Sequence, residues 1–273
     1  MTEVPLPVDG PALVAGIELP AGQRIYGWDD DVTDVGIPLA WVTVRPMTDA
    51  GNAWLALSAA HAKTGLVPVL LSRAGGMNDV SGEAFGLSGT EDISLIDSMS
   101  PEEVLAAHWD LSEWEEFNAY EAGWRAPFGA EFPGLAPAGR KPLDSARLRS
   151  AVAMEDRTFL ALVAVGRPAD VPAAIGWSVF GADSPGRPDA ISLEISTVLR
   201  SWETRFGARP LRIGSDAILR VLVDRPPSTL EAATAVAAEH LAFADECNGR
   251  SGYSVCDLAA DLVGKPVWHF WWD

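Results

Sequence analysis

The sequence has few cysteines, no long apolar run and no recognisable export signal. Only two of its 273 residues are cysteines, Cys247 and Cys256, and proteins of reducing compartments seldom depend on disulfides. The first ten residues contain neither the basic nor the apolar region of a signal peptide. No apolar run approaches the roughly 20 residues that span a bilayer. We therefore expect a cytoplasmic protein with reduced thiols and no membrane association.

The standard motifs of several enzyme classes are also missing. There is no Gly-x-Gly-x-x-Gly, no P-loop, no His-Glu-x-x-His and no Gly-x-Ser-x-Gly, which are typical of nucleotide-binding proteins, metalloproteases and serine hydrolases. The two cysteines and four histidines match no standard zinc spacing. We predict neither a cofactor nor a bound metal, and the sequence does not indicate a reaction.

Basic residues are scarce, and most of the imbalance lies in the first half of the chain. The net charge is −18; residues 1–145 contain 22 acids and 7 bases, and residues 146–273 contain 16 acids and 13 bases. Between Met77 and Glu131, thirteen acids accompany the single Arg125. Such a field disfavours nucleic acid and anionic membranes and attracts basic partners. A solvated surface that keeps the protein soluble is the alternative.

The composition that remains is that of a globular protein of one large or two modest domains. A Pro- and Gly-rich stretch, residues 132–142, is the clearest linker. It predicts a boundary between an acidic N-terminal α/β subdomain, residues 1–145, and a C-terminal α+β domain, residues 146–273. The overall prediction is an α+β fold, with a mixed or antiparallel sheet and helices packed on one face.

Local patterns in the N-terminal half predict two helices and a strand. Apolar residues at helical spacing favour a helix over residues 49–63 that Gly65 ends. The apolar run Leu66–Leu71 reads as a strand, and Pro68 favours an edge position or an irregular strand. Residues 100–103, Ser-Pro-Glu-Glu, are a typical helix start.

The C-terminal half has stronger patterns. An apolar stripe runs through a predicted helix from Asp189 to Phe206, which Gly207 ends. Two strands follow, Leu211–Gly214 and Ile218–Val223, and then a helix that begins at Ser228. The chain finishes with an aromatic strand from Val267 to Asp273.

Glu239 and His240 are the first candidate site residues, about three turns into the predicted helix that begins at Ser228. A Glu–His pair can act as acid and base, or as two metal ligands. The alternative is structural: His240 donates a hydrogen bond within the core, and Glu239 caps a backbone group or pairs with an arginine.

Glu203 and Arg205 are further candidates near the end of the preceding helix. Because they are two residues apart, they point in different directions and do not pair with each other. Each is expected to reach another segment, Glu203 towards an arginine, in a structural role rather than as a ligand clamp.

The last strand and an acidic helix supply the remaining binding candidates. In the strand, Trp268, Phe270 and Trp272 share the side expected to cover helices. His269, Trp271 and Asp273 share the other side and are expected either to line a small-molecule or peptide groove, or to pack between domains. Upstream, the polar face with Glu113, Glu115 and Glu116 is the candidate surface for a basic partner.

Several short motifs resemble a known family. They are Arg200-Ser-Trp-Glu203, Arg205-Phe-Gly-Ala208, Pro226-Pro227, Ala238-Glu-His240, Phe243 and the terminal Phe270-Trp-Trp-Asp273. The segment resembles the uncharacterised bacterial family catalogued as domain of unknown function 4253, most strongly from about Phe159 to the end. Its members usually follow Phe243 with Cys-Pro-Asp, whereas this chain reads Ala-Asp-Glu-Cys, so no thiol or metal role carries over to that turn. The resemblance implies no established activity.

Two functional hypotheses follow. The first is a non-catalytic cytoplasmic binding protein that engages a basic protein partner through its acidic N-terminal half. The second is a hydrolase-type enzyme with Glu239 and His240 as acid and base or as metal ligands. A pocket where these two side chains converge with His269 favours the enzyme, and a dry, fully bonded interior around them favours binding. The sequence does not indicate the oligomeric state.

Overall fold

The computed structural model describes residues 4–27, 36–73, 79–109, 123, 125–177, 191–244 and 254–272. Eight strands form one sheet in the order β1-β2-β3-β5-β4-β6-β7-β8. Neighbouring strands are antiparallel except β4 and β6, which are parallel. The strands are β1 (Gly10–Val14), β2 (Ile17–Ile25), β3 (Ala40–Thr43), β4 (Leu66–Ser72), β5 (Phe159–Ala164), β6 (Ala208–Gly214), β7 (Ile218–Val223) and β8 (Val267–Trp271).

The helices pack around this sheet, which confirms the predicted α+β fold with a mixed, mostly antiparallel sheet. They are α1 (Ala50–Thr64), α2 (Gly82–Phe85), α3 (Pro101–Trp109), α4 (Ser145–Val152), α5 (Val171–Ala174), α6 (Ile191–Phe206), α7 (Leu230–Phe243) and α8 (Val255–Leu262). Short 3₁₀ turns occur at Ile93–Ser98 and Pro168–Asp170. Among the described residues no helix is long and apolar enough to cross a membrane.

Both faces of the sheet are covered, because successive strand residues point to opposite sides. In β5, Phe159 and Ala161 belong to the core beneath α6, α7 and α8, whereas Leu160 and Leu162 belong to a second core with α1 and α4. We call these sides the α6 face and the α1 face. The helices predicted from Asp189 and Ser228, α6 and α7, share one face as predicted, whereas α1 and α4 pack on the other face, so helices cover both sides of the sheet.

The sheet draws on both halves of the chain. Strand β5, from the C-terminal half, lies between β3 and β4, which come from the N-terminal half. The predicted linker is packed against the C-terminal half, since Gly139 donates its N–H to the carbonyl of Arg205 at 3.1 Å. A Cβ at Gly139 would lie 1.8 Å from the carbonyl oxygen of Arg225. The division into two domains therefore stays a prediction.

Strand β4 is central, so the edge position suggested by Pro68 is wrong. Pro68 pairs with Leu162 of β5, and the parallel pairing with β6 begins only at Leu70. A proline lacks the N–H that a ladder needs, and here it precedes the part of the strand that is paired on both sides. The central position of β4 is thus compatible with its proline.

The helix ends follow the predicted capping chemistry with one shift. Gly65 and Gly207 end α1 and α6 with φ of 67° and 66°, a conformation that glycine adopts without strain. The N-terminus of α7 is capped by Thr229 and not by Ser228. The Thr229 hydroxyl accepts a hydrogen bond from Ala232 N at 3.2 Å. Ser254 and Asp257 form a capping box at α8.

Candidate functional site

Helix α7 places Glu239 in the interior, with 0% of the residue exposed. Its Oε1 accepts from Ala136 N and from Arg205 Nη1, both at 2.6 Å. Its Oε2 accepts from Trp202 Nε1 at 2.7 Å and from Arg205 Nη2 at 2.6 Å. Two hydrogen bonds on each oxygen fill the acceptor sites of a carboxylate, and the paired bonds to one guanidinium are the strong bidentate form.

Arg205 is held as firmly as its partner. Nη1 also donates to the carbonyl of Ala136 at 2.8 Å, and Nε donates to Ser201 Oγ at 3.1 Å. The guanidinium lies 5.0 Å from the ring centre of Phe206. The ion pair therefore joins α6, α7 and the stretch around Ala136, and this full set of bonds supports a structural role for Glu239.

His240 is the next residue on α7 and points elsewhere. It is 3% exposed, and its ring lies 4.7 Å from that of Trp268 and 4.6 Å from that of Phe270. Burial, with a smaller effect from the charge of Lys265, lowers the pKa of His240 to about 3. The imidazole is therefore neutral near pH 7 and packs as an aromatic group.

The expected hydrogen bond of His240 is only partly accounted for. Nε2 has no hydrogen-bond partner among the residues that the structure describes. The aromatic rings around it offer no acceptor comparable to a carbonyl, and the hydrogen bond expected of His240 stays a prediction. Glu239 and His240 lie side by side in sequence but do not converge on one point.

Glu203 reaches an arginine on another segment, as predicted. Its Oε2 accepts from Arg167 Nε at 2.9 Å and from Nη2 at 2.7 Å. Arg167 stands before the 3₁₀ turn at Pro168–Asp170. Glu203 and Arg205 thus bind different partners, Arg167 and Glu239.

A third ion pair on α6 escaped the sequence analysis. Arg200 donates through Nε and Nη2 to the two carboxylate oxygens of Asp170, with 2.9 Å for the Nη2–Oδ2 bond, and through Nη1 to Asp97 at 2.6 Å. The hydrogen bond to Asp170 is the main cause that raises the pKa of Arg200. Asp170 is buried and Asp97 is 78% exposed at its side chain.

A pattern in the sequence could have revealed this arrangement. Polar residues recur along α6 at i, i+3, i+4, i+7 and i+8, and they are Thr197, Arg200, Ser201, Thr204 and Arg205. That spacing is the helical period of one face, displaced from the apolar stripe that predicted the helix. A polar stripe beside an apolar stripe indicates that the second face also contacts protein.

The last strand has the two sides that were predicted. Trp268 and Phe270 are buried on the α6 face, and Trp272 packs against the same core. His269 and Trp271 are exposed on the α1 face, where His269 pairs across the strands with Arg220. Partial burial, followed by the charge of Arg220, lowers the pKa of His269. His269 therefore does not meet Glu239 or His240, which lie on the other side of the sheet.

Several candidates fall outside the described residues. These are Glu113, Glu115 and Glu116 of the acidic helix and the terminal Asp273. The predictions made for them stay predictions.

Comparison with known proteins finds a family model that the C-terminal part of the chain resembles. Residues 159–273, which carry β5 to β8 and α5 to α8, match one family model. It is Domain of unknown function (DUF4253). The matched range begins at Phe159, where the resemblance was expected to become strong, and it contains Arg200, Arg205 and Glu239. No curated protein and no solved structure matches the chain. The DUF4253 description names no activity, so function is argued from the geometry.

Proposed function

We propose that this chain is a non-catalytic cytoplasmic binding protein that engages a basic protein partner through the acidic surface of its N-terminal half. The supporting observation is exposure. Of the eight described acids between residues 79 and 131, seven are exposed and one, Glu91, is half-buried. The eight acids, which we call the acidic surface, are Asp79, Glu83, Glu91, Asp92, Asp97, Glu102, Glu103 and Glu131.

The acidic surface is held by ordered structure. Phe85, Leu87, Leu105 and Trp109 of the same segment are buried in the core of the α6 face. A binding surface that is ordered before association loses less conformational entropy on binding than a flexible tail. The acids therefore form a fixed pattern of charge that a partner can complement.

Little positive charge offsets this surface. Among the eight acids, Asp97 is the one with a described ion pair, to Arg200. The neighbouring Arg125 lies over the ring of Trp109, 4.7 Å from its centre. Hydrogen bonds from Ser81 and Ser94 lower the pKa values of Asp79 and Asp92. The surface stays negative near pH 7 and attracts a basic protein at long range.

The hydrolase alternative receives no support from the interior. The carboxylate of Glu239 already accepts four hydrogen bonds, and His240 is neutral among aromatic rings. His269 lies on the opposite face of the sheet. Glu239 and His240 therefore do not converge with His269 in a pocket, which is the arrangement that the hydrolase hypothesis requires.

The proposal is tested by charge removal at matched sites. The test variant carries Glu83→Gln, Glu102→Gln and Glu103→Gln, and the control carries Glu18→Gln, Glu231→Gln and Asp261→Asn, which are exposed acids elsewhere. Both variants change the net charge by the same amount. A partner is first recovered from native lysate by affinity capture and identified by mass spectrometry. Its association rate is then measured over a salt series.

The test variant should associate several-fold more slowly than the parent at low salt, and the difference should shrink as salt screens the charges. The control should stay close to the parent. A second triple variant, Glu113→Gln with Glu115→Gln and Glu116→Gln, extends the test to the predicted helix face. Capture of no basic protein, or equal rates for all variants at every salt concentration, would show that the acidic surface serves solubility alone.

A further inference from the structure

A cavity of about 310 Å³ opens beside the polar stripe of α6. Three arginines line it, Arg167, Arg200 and Arg205, and no acidic side chain of the described residues does. Acids outnumber bases by 38 to 20 in the whole chain, so three guanidinium groups around one concave space run against the composition. The volume lies at the lower end of the range for small-molecule pockets.

Buried carboxylates orient two of these arginines from behind. Asp170 holds Arg200 and Glu239 holds Arg205, and neither carboxylate reaches the wall of the cavity. Such pairing fixes the plane of a guanidinium in advance, so that little side-chain entropy is lost when a ligand binds. The arginines are thus placed as a rigid set and not as mobile surface side chains.

Unused hydrogen-bond donors remain on Arg167 and Arg200. A guanidinium has five N–H groups; Arg200 uses three in its bonds to Asp170 and Asp97. Arg167 uses Nε and Nη2 for Glu203, and within the described part of the chain its Nη1 forms no hydrogen bond. The Asp97 partner is 78% exposed, and pairs of that kind contribute little stability. A ligand can therefore replace Asp97 without disturbing the buried pairs.

The other walls determine what else a ligand contacts. Ser201 and Thr204 of α6 add hydroxyl groups, and Ile96 and Met99 form an apolar side. A site with polar groups at one end and an apolar wall at the other favours a molecule with a charged head and a short apolar body.

We propose that this cavity binds a small organic anion, with a carboxylate or phosphate head between Arg167 and Arg200, where it competes with Asp97 for Nη1 of Arg200, and an apolar body against Ile96 and Met99. The planar fork of arginine matches both heads, because each offers two oxygens at the spacing of two N–H groups. The site is separate from the acidic surface except at Asp97, and it does not depend on the proposed basic partner.

The test is calorimetric titration of the full chain at low salt with benzoate, phenyl phosphate and the neutral benzamide. At least one of the two anions should bind saturably with one site per chain, and benzamide at least tenfold more weakly. The anion that binds more tightly identifies the head group. Both outcomes support the site.

Variants separate a binding role from a structural one. Arg167→Gln should weaken anion binding tenfold or more, and Arg45→Gln, an exposed arginine away from the cavity, should stay within twofold of the parent. Asp97→Asn should strengthen binding several-fold, because it removes the competing carboxylate. A purely structural role for the arginines would not produce that gain. Thermal melting curves check that each variant is folded.

Four results would overturn the proposal. They are the absence of saturable binding by both anions, benzamide binding as tight as that of the anions, equal losses in Arg167→Gln and Arg45→Gln, and weaker binding by Asp97→Asn. If Arg167→Gln fails to fold, Asp97→Asn alone decides, since that residue is at the surface. None of these results bears on the acidic surface, because no probe is a basic protein.

Discussion

Each face of the sheet buries a carboxylate beside arginine, and the two carboxylates are bonded to different degrees. On the α6 face, Glu239 accepts four hydrogen bonds, two of them from Arg205. On the α1 face, Glu155 is 1% exposed, 3.8 Å from Arg212 Nη1 and in contact with Arg220 Nη1. Despite these ion pairs, neither oxygen of Glu155 has a hydrogen bond of ordinary geometry to a described residue.

The difference follows from what covers each carboxylate. Around Glu239 the aromatic side chains of α6 and β8 exclude water, and a charge in such a setting is tolerated only when it is fully bonded. The side chains of Arg212 and Arg220 are 24% and 26% exposed, so water reaches the two arginines beside Glu155, although the carboxylate itself is buried. We therefore expect two carboxylates of nearly equal burial to contribute differently to stability.

The largest effect is expected from a large-to-small substitution in the core of the α6 face. Trp202→Ala should lower the free energy of unfolding by an amount near the upper end of about 3–5 kcal/mol. Trp202 stacks on Phe270 at 5.2 Å and donates to Glu239, so its loss creates a cavity and leaves the carboxylate short of a donor. Urea denaturation measures the change. Trp271→Ala, at a residue 38% exposed, is the control and should lose clearly less; similar losses would show that Trp202 is not central to the core.

The same isosteric substitution at Glu239 and at Glu155 tests the difference between the two carboxylates directly. Glu239→Gln should cost about 3–5 kcal/mol, since it leaves a buried guanidinium without its counter-charge. Glu155→Gln should cost about 1–2 kcal/mol, because its arginines are partly solvated. Denaturant unfolding of the two variants gives both numbers. Equal costs would mean that burial alone, and not the bonding of each carboxylate, sets its contribution.

The α6 face should also show a pH dependence that comes from His240. Its folded pKa of about 3 lies below the ordinary 6.5, so between these values the unfolded chain holds a proton that the folded chain lacks. The stability that comes from neutral His240 is fully present above pH 6.5 and is lost as the pH falls towards 3. The slope is about 1.4 kcal/mol per pH unit inside that window.

Unfolding measured from pH 7 to pH 4 checks this slope against variants. His240→Leu should remove the slope of about 1.4 kcal/mol per pH unit that one proton produces. His61→Gln, at a partly buried residue of α1, should leave that slope unchanged. An unchanged slope in His240→Leu would place the acid sensitivity of the α6 face elsewhere, with the carboxylates as the next groups to examine.

Residues whose neighbours in sequence determine their structure were predicted well. The apolar stripe of α6, the glycines after α1 and α6, and the alternation in β8 all follow from local periodicity and backbone conformation. Glu203 was expected to reach an arginine, and it pairs with Arg167. These predictions needed no knowledge of which segments meet.

Contacts between distant segments were not predictable in this way. Arg205 and Glu239 are 34 residues apart, and Ala136 is 103 residues from Glu239. The local sequence pattern of each of these segments does not indicate which distant segments it contacts. The polar stripe of α6 could have indicated a second contact face, but not that Asp170 and Asp97 occupy it.

By itself the sequence determined the class of the fold, the positions of most strands and helices, and a strongly acidic N-terminal half, because propensity, periodicity and charge are local or additive properties. Only the tertiary structure decided that β5 crosses to lie between β3 and β4, that β4 with its proline is central, and that Glu239 is fully bonded while the arginines beside Glu155 are partly exposed. Those outcomes depend on which surfaces exclude water from one another, and that is settled only when distant parts of the chain pack together.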